Sequence, residues 1–525
     1  VGEDTVIIDE ASMLTEEMLG ALLQALRGVK RIIMVGDPRQ LPPIGTGRPF
    51  VDVVSELSPE NVQGIFPRIS KGYAELTVRR RQEGKDREDI QLAEWFSGNP
   101  ISPGDDDIFD KIIKDDSSDY VRFARWETPE EFQNIFLNTL VSELNLDGPE
   151  DVIGFEKMIG AKIKDGYGYF NVGAASNAEN WQVLSPTRGN AHGVISINRR
   201  IHKKFRSKTI EFAQSNKYRK IPKPMGGEQI IYGDKVINIT NHKRDNVFPQ
   251  EGAARYIANG EIGIVVGQFK TPKMRSAPWL MKVEFSSQPG YQYDFRESDF
   301  DEESEPKLEL SYALTIHKAQ GSEFDIVILV IPNPCHLLSR EMIYTALTRQ
   351  RNRIIILHQG SIGELRKFAS DAYSETAARQ TNLFKAPEIV KIEGKLFENS
   401  LIHVTSKGEF VRSKSEVIIA DRLSDLGVEY VYEKELTIDG VSKFPDFTIE
   451  DVETGRTFYW EHCGMMQVPE YRSRWEKKLE WYKEHGIIPH DKGERGTLII
   501  TTDTEEGGIS SQEIERVIKT VILDE

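Results

Sequence analysis

Two short apolar runs and one amphipathic stretch organise the first fifty residues. Residues 5–8 (TVII) are continuously apolar up to Asp9-Glu10, and residues 31–35 (RIIMV) repeat the pattern up to Gly36-Asp37-Pro38. Between them Leu19, Leu22, Leu23 and Leu26 recur at helical spacing, so residues 15–26 are expected to form a helix with one apolar side. Buried strand, helix and buried strand predict a parallel sheet, a fold class whose strand ends carry chemistry. Residues 51–75 read as a linker, and residues 76 to about 230 as mostly helical with a strand at 181–184. From there to about residue 300, short β runs are punctuated by Gly233, Asn259-Gly260, Gly263 and Gly267, which suggests a small inserted β-barrel. Residues 299–305 make a short acidic loop. An α/β pattern resumes at Leu308 and runs to about 385, and residues 400–525 read as a separate α/β unit.

Composition narrows the class. A chain of 525 residues exceeds what one core supports, so three or four domains are expected. It is 39% hydrophobic and 29% charged, and its longest apolar runs, such as residues 326–332, fall far short of a bilayer span, so no membrane partner is expected. The two cysteines, Cys335 and Cys463, exclude a disulfide framework or a Cys-rich zinc site. With no basic stretch leading into an apolar run at the start, they fit a reducing, cytoplasmic setting. The net charge of -16 argues weakly against nucleic acid, but binding follows local patches rather than the total. Basic clusters occur at 79–81 (RRR), 199–206 (RRIHKKFR) and 217–223 (KYRKIPK), and each could equally be a solvated helix face.

Candidate chemistry begins at the strand ends. A nucleotide hydrolase needs one carboxylate to hold Mg2+ and a second to orient and deprotonate the attacking water. Asp9-Glu10 could supply both, or could simply cap the next helix. The second strand leads into GDPRQLPPI at 36–44, which brings an amide, Gln40, to the same expected phosphate site.

These blocks and those that follow resemble the superfamily 1 DNA helicases, specifically the RecD-like branch. DEAS at 9–12 resembles motif II, GDPRQLPPI motif III, and LTVRRRQ at 76–82 motif IV. The stretch 182–198 (QVLSPTRGNAHGVISIN), which contains Thr187, resembles the opening of the second RecA-like domain. GDKV at 233–236 with NGEIG at 259–263 resembles that branch's β-barrel insert. YALTIHKAQGSEF at 312–324 resembles motif V, and REMIYTALTR at 340–349 motif VI. The resemblance covers residues 1 to about 360. It implies RecA-like parallel sheets of the P-loop NTPase fold over 1–75 (the first, incomplete) and 76–385, with the barrel at about 230–305.

The resemblance also implies ATP and Mg2+ as cofactors, with Asp9 on the metal and Glu10 on the water. Gln40, Arg81 and Arg349 would meet the γ-phosphate, the arginines arriving from the second domain so that closure depends on nucleotide. Gly321 permits close backbone approach and Glu323 lies near the nucleotide. Thr187, Thr315, His317 and Lys318 are implied contacts to DNA, single-stranded or at duplex ends, with His317 equally readable as a loop-ordering hydrogen bonder. The stacking aromatics that single-strand tracking also needs are not assigned by these residues. One element is missing: G-x-x-x-x-G-K-[ST], whose amides and lysine hold the phosphates. Gly-Lys occurs at 84–85 and 394–395, followed by Asp86 and Leu396, and neither has a glycine five residues earlier. A truncated motor with weak or no ATP hydrolysis is therefore expected, or one completed by a partner chain.

The last unit carries a second constellation. A helix begins at Ser415-Glu416; strands follow with Pro445-Asp446 and then Glu461; a further helix spans about 471–485, ahead of a strand at 497–501. This α-β-β-β-α-β order over 386–525 resembles the PD-(D/E)XK nuclease fold. It implies Asp446 and Glu461 as ligands of Mg2+ (or Mn2+), and Glu416 as an auxiliary one. The family's lysine, two residues after the second acid, is replaced by Cys463. Tyr471, Trp475, Lys478 and Tyr482 fall on one helix face, and a lysine among buried aromatics makes Lys478 the candidate substitute, ahead of Lys477. A zinc site from His462, Cys463 and His485 would lack a fourth ligand. The expected function is an ATP-dependent DNA helicase or translocase coupled to a metal-dependent deoxyribonuclease. The alternatives are a helicase with a non-catalytic DNA-binding tail, or an inactive remnant.

Overall fold

The computed structural model describes residues 4–59, 67–76, 87–99, 108–109, 118–215, 222–270, 278–300, 306–370, 373–379, 383–384, 403–407, 409–411, 413–439, 441–451, 454–463, 469–502 and 510–523. The strands Thr5–Ile8 and Arg31–Met34 pair in parallel, Thr5 opposite Arg31 through Ile8 opposite Met34, with the helix Glu16–Ala25 between them. The Thr15 hydroxyl caps that helix by accepting from the Met18 amide. These two strands were expected to be buried and are not. Ile7 is 66% exposed, and Ile32 and Ile33 are each 39% exposed. A parallel sheet needs cover on both faces, and this one has two strands among the described residues. Within 51–75, read as a linker, the structure has the helix Pro49–Leu57 and the small hairpin Ile69–Ser70 with Tyr73–Ala74.

The second sheet is five-stranded and wholly parallel, in the order Ala313–Thr315, Trp181–Ser185, Phe324–Ile331, Gln350–Gln359, Val121–Trp126. Trp181–Ser185 is buried throughout and Phe324–Ile331 from Val327 onward, as parallel strands covered by helices must be. Val121–Trp126 lies in a stretch expected to be helical. It takes the sheet edge, where Arg122 can reach Glu143 of the helix Pro129–Glu143.

Where a barrel is expected, the described strands form a six-stranded antiparallel sheet. Its order is Val247–Phe248, Gln292–Arg296, Pro278–Phe285, Ile262–Lys270, Lys235–Asn238, Leu308–Leu310. Gly263 is required inside it, because a Cβ there would come within 2.6 Å of the Glu284 carbonyl oxygen. The insert is fastened to the parallel sheet by Lys235, whose Nζ donates to the Trp181 carbonyl at 2.7 Å and to Gln182 Oε1 at 2.8 Å. Burial beside the Trp181 and Phe324 rings brings this ammonium down to about 7, with Glu179 opposing weakly. The unfolded chain then binds a proton that the folded chain lacks between pH 7 and the ordinary 10.5, so stability gains from this group as pH rises through that window. Lys235→Met is expected to flatten the rise. Thermal unfolding midpoints at pH 7 and 10 check this, and an unchanged slope in the variant refutes it.

The C-terminal unit is built on a five-stranded mixed sheet. Val431–Tyr432, Phe447–Asp451 and Arg456–Cys463 pair antiparallel in that order; Arg456–Cys463 and Ile487–Pro489 then flank Gly496–Thr502 in parallel. The helices Lys414–Asp425 and Pro469–Glu484 stand in the expected places, while the hairpin Leu436–Ile438 with Val441–Lys443 and the strand Ile487–Pro489 depart from the expected α-β-β-β-α-β order. Ile195, from the long helix Val194–Ser215, joins the core of this unit, and the Arg188 amide donates to the Gly427 carbonyl at 3.2 Å.

Candidate functional site

Two groups of sequence-predicted residues are brought together. In the first, Asp9 ends its strand exposed, and its carboxylate accepts from the Glu10 amide at 3.0 Å. Glu10 sits in the left-handed region at φ 48, and its Oε1 is 3.8 Å from where a Cβ on Gly321 would be. The acidic pair at 9–10 thus faces the glycine of 312–324 across the two sheets.

The loop 36–44 is bonded to the helix Arg340–Leu347. Tyr344 OH donates to Asp37 Oδ2 at 3.0 Å, the Leu41 amide donates to Thr345 Oγ1 at 2.9 Å, and Gln320 Nε2 donates to the Leu41 carbonyl at 3.2 Å. Gln40, between these contacts, has its Oε1 buried with no hydrogen-bond partner among the described residues. An orphaned acceptor is costly unless another molecule supplies a donor. A bound nucleotide's water or metal shell is such a donor, so this amide fits the expected phosphate site.

The other residues of this group are engaged by protein. Arg349 is 1% exposed, and its guanidinium donates to the Thr345 and Ser322 carbonyls at 3.1 and 3.4 Å. Glu323 pairs with Arg351 at 3.3 Å. Thr187 is fully buried, its hydroxyl 3.4 Å from that of Ser185, and Thr315 Oγ1 accepts from the Lys318 amide at 3.3 Å. Lys318 Nζ is 2.7 Å from Glu309, which also takes Arg188 at 3.0 Å, and these two cations hold the Glu309 carboxyl far below its usual range. His317 is pushed down to about 4 by burial and by the Lys407 and Arg379 charges, so it is neutral at pH 7. Arg379, not singled out in the sequence, donates to the carbonyls of Pro43, Gly45 and Gly47 and so clasps the loop 36–47. Arg81, with the basic cluster 79–81, lies outside the described residues.

The second group converges in the C-terminal unit. The strand Phe447–Asp451 is preceded by Asp446, and the neighbouring strand Arg456–Cys463 carries Glu461. Asp446 Oδ2 accepts from the His462 amide at 2.6 Å, which fixes it beside Glu461. Lys478 projects from the helix Pro469–Glu484 to 2.5 Å from Glu461 Oε1, and also donates to the Phe444 carbonyl at 3.2 Å. Tyr482, one turn on, donates to the same Glu461 oxygen at 2.6 Å. Glu416 accepts from Tyr432 OH at 2.7 Å and from Ser413 Oγ at 2.9 Å.

Burial and the Glu461 and Glu416 charges push the Asp446 carboxyl well above the usual range. Glu461 is also raised, by burial, against the opposing pull of Lys478. Cys463, in the position where the family's lysine would stand, is buried and pushed up to about 12 by burial and these two acids, so it is a thiol at neutral pH. His462 Nδ1 lies 3.0 Å from Thr501 Oγ1 and His485 Nδ1 2.7 Å from the Trp481 carbonyl. Among the described residues no three His, Cys, Asp or Glu side chains are grouped to hold a metal ion, so neither the zinc grouping of His462, Cys463 and His485 nor a three-acid grouping of Asp446, Glu461 and the expected auxiliary Glu416 is formed. The carboxylates nevertheless suit a divalent cation in kind, because an acid raised by burial and by a neighbouring acid, as Asp446 is by Glu461, is relieved by a shared positive charge. Trp475 and Tyr482 are buried on the helix face that carries Lys478, whereas Lys477 is exposed. Tyr432 and Tyr482 were missed as site residues. Only the side-chain register of two separate elements reveals them.

Comparison with known proteins adds independent findings. Residues 310–357 match the family described as UvrD-like helicase C-terminal domain, and residues 1–94 one described as AAA domain. An uncharacterized protein of Methanocaldococcus jannaschii is 30% identical over 537 residues, which span 99% of this chain and 43% of that protein. The RecBCD enzyme subunit RecD of Mycolicibacterium smegmatis is 24% identical over 73% of this chain and 54% of its own length. The ATP-dependent RecD2 DNA helicase of Deinococcus radiodurans is 25% identical over 73% of this chain and 39% of its own length. The chain spans about half or less of these relatives. Among the described residues no helix is long and apolar enough to cross a membrane.

Proposed function

We propose, for a chain of the superfamily 1, RecD-like helicase type, that it serves an ATP-driven DNA motor and cuts DNA with its C-terminal unit. The motor reading is supported by the contacts that tie the loop 36–44 to residues 320, 344 and 345, and by the unpartnered Gln40 Oε1 between them. Asp9 would hold Mg2+, and Glu10 would orient water. Because no G-x-x-x-x-G-K-[ST] occurs in the 525 residues, ATP hydrolysis by this chain alone is expected to be weak. A phosphate-release assay with single-stranded DNA reads this, and robust DNA-stimulated turnover overturns it.

The nuclease reading is carried by one observation: Lys478 reaches Glu461 at 2.5 Å, and Asp446, held by the His462 amide, is near enough to the Glu461 and Glu416 charges for both to raise its carboxyl. Asp446 and Glu461 would hold a divalent ion, which when bound activates water and offsets phosphodiester charge. The chain's own part is positioning. Tyr482 and Lys478 fix Glu461, while Tyr432 and Ser413 fix Glu416. Lys478 supplies the positive charge that Cys463 cannot. A second reading, a non-catalytic DNA-binding unit, is favoured by the direct Lys478–Glu461 ion pair, which occupies one carboxylate. Incubation of linear single- and double-stranded DNA with Mg2+ or Mn2+ separates them. Cleavage that EDTA stops supports the first, and DNA binding without cleavage supports the second.

A further inference from the structure

The sequence did not assign stacking aromatics, and one surface of the structure presents exposed tyrosines beside lysines. The strands Lys162–Lys164 and Tyr167–Tyr169 form an antiparallel hairpin, with Lys162 opposite Tyr169, Ile163 opposite Gly168 and Lys164 opposite Tyr167. Residues directly opposite share a face, and alternate residues return to it. One face therefore carries Lys162, Lys164, Tyr167 and Tyr169, and the other Ile163 and Gly168. The second face meets the protein at Gly168, where a Cβ would run into the Glu156 carboxylate and come within 3.2 Å of the Ala161 methyl, while Ile163 stays 39% exposed. The first face is open, with Tyr167 70% and Tyr169 43% exposed and both lysines exposed. Among the described residues neither lysine is in an ion pair. The one acid in the hairpin, Asp165, lies in the turn at φ 52.

We propose that this face is a contact site for single-stranded DNA. Bases offer flat apolar faces to tyrosine rings, phosphates offer charge to lysines, and such sites combine the two without reading sequence. The spacing suits this. Two residues along a strand put the tyrosines roughly 7 Å apart, which is room for one base plane at about 3.4 Å from each ring. Tyrosine hydroxyls also make the exposed rings tolerable in water, where a bare apolar patch would favour protein. The alternating lysines favour a polyanion over a second copy of a chain whose net charge is -16. The proposal rests on the reading of the chain as a DNA motor, and its test separates the two.

The test is fluorescence anisotropy of a labelled oligothymidine with the full chain in EDTA, across a salt series. Tyr167→Ala with Tyr169→Ala is expected to weaken binding about tenfold or more, and the two Tyr→Phe changes to leave it intact, since stacking needs the ring alone. Lys162→Gln with Lys164→Gln is expected to lower the slope of log affinity against log salt by about 1.4, roughly 0.7 for each single-strand phosphate that a lysine no longer neutralises. Circular dichroism of each variant verifies that the fold is kept. Wild-type binding with unchanged affinity and slope in all variants overturns the hairpin site and leaves the motor reading intact. A wild-type chain that does not bind the oligonucleotide overturns both. Variants that change only the sedimentation coefficient assign the face to self-association and overturn the proposal.

Discussion

Asp446→Asn is expected to reduce metal-dependent DNA cleavage by at least about 10²- to 10³-fold, the loss that follows removal of one charge-stabilising group from a preorganised site. The substitution preserves shape, and an amide oxygen can still accept from the His462 amide. What it removes is a negative charge that burial and two neighbouring acids make costly in the metal-free chain. The variant should therefore be as stable as the wild-type chain or more so in EDTA while losing activity. The sign with pH follows. A carboxyl raised above its unfolded value contributes stability that is present below the ordinary 3.8 and is lost as pH rises through the higher folded value. The stability advantage of Asp446→Asn in EDTA should therefore widen as pH rises from 4 to 8. Gel assays of cleavage and paired melting curves measure both arms. Wild-type cleavage by Asp446→Asn would remove this residue from the site.

Lys478→Ala and Lys477→Ala refine the same experiment. Lys478 is the nearest cation to Glu461, and its loss leaves that carboxylate with Tyr482 as donor and Asp446 as a repelling neighbour. Cleavage should fall with Lys478→Ala and persist with Lys477→Ala, whose side chain is exposed. The comparison works because one helix presents the two lysines to different surroundings.

What the sequence made legible follows from the range of the interactions involved. The strands Thr5–Ile8 and Trp181–Ser185 and the helices Glu16–Ala25, Lys414–Asp425 and Pro469–Glu484 were readable because apolar periodicity and caps are local. Lys478 could be singled out for the same reason, since its helix face is set by spacing alone. The exposure of Ile7, Ile32 and Ile33 was not readable, because burial depends on what covers a sheet rather than on the strand itself. Val121–Trp126 was lost to a helical reading because its partner, Gln350–Gln359, is more than two hundred residues away. The role of Arg206 was hidden by partners that lie 26 to 50 residues away in sequence. In sequence it belongs to a basic run; in the fold it is 1% exposed and shared between Asp234, Glu156 and the Tyr232 carbonyl.

That buried network carries the largest stability effect expected in residues 118–370. Asp234 follows the glycine that opens the insert and is fully buried. It accepts from four donors: His202 Nε2 at 2.8 Å, Arg206 Nε at 3.0 Å, Tyr312 OH at 3.0 Å and the Ile231 amide at 2.8 Å. His202 and Arg206 come from the helix Val194–Ser215, and Tyr312 opens the segment 312–324, so one carboxylate joins the insert, the helix and a candidate DNA loop. Asp234→Ala leaves a buried guanidinium short of its main counter-charge, a change that costs about 3–5 kcal/mol in buried pairs. Asp234→Asn, which retains an acceptor, should cost less. The partners hold the Asp234 carboxyl below its ordinary 3.8 despite burial. Its contribution is therefore complete at neutral pH and is lost only as pH falls below about 4 through the lower folded value. The deficit of Asp234→Ala in urea melts should accordingly be present from pH 5 to 8 and shrink only below about pH 4. Because Tyr312 lies three residues before Thr315 and five before His317, the loss should also loosen that loop, which hydrogen exchange of residues 312–320 reads directly. A variant that unfolds with the wild-type chain would mean that Arg206 finds its compensation in Glu156 and the Tyr232 carbonyl, and that Asp234 contributes little to joining these elements.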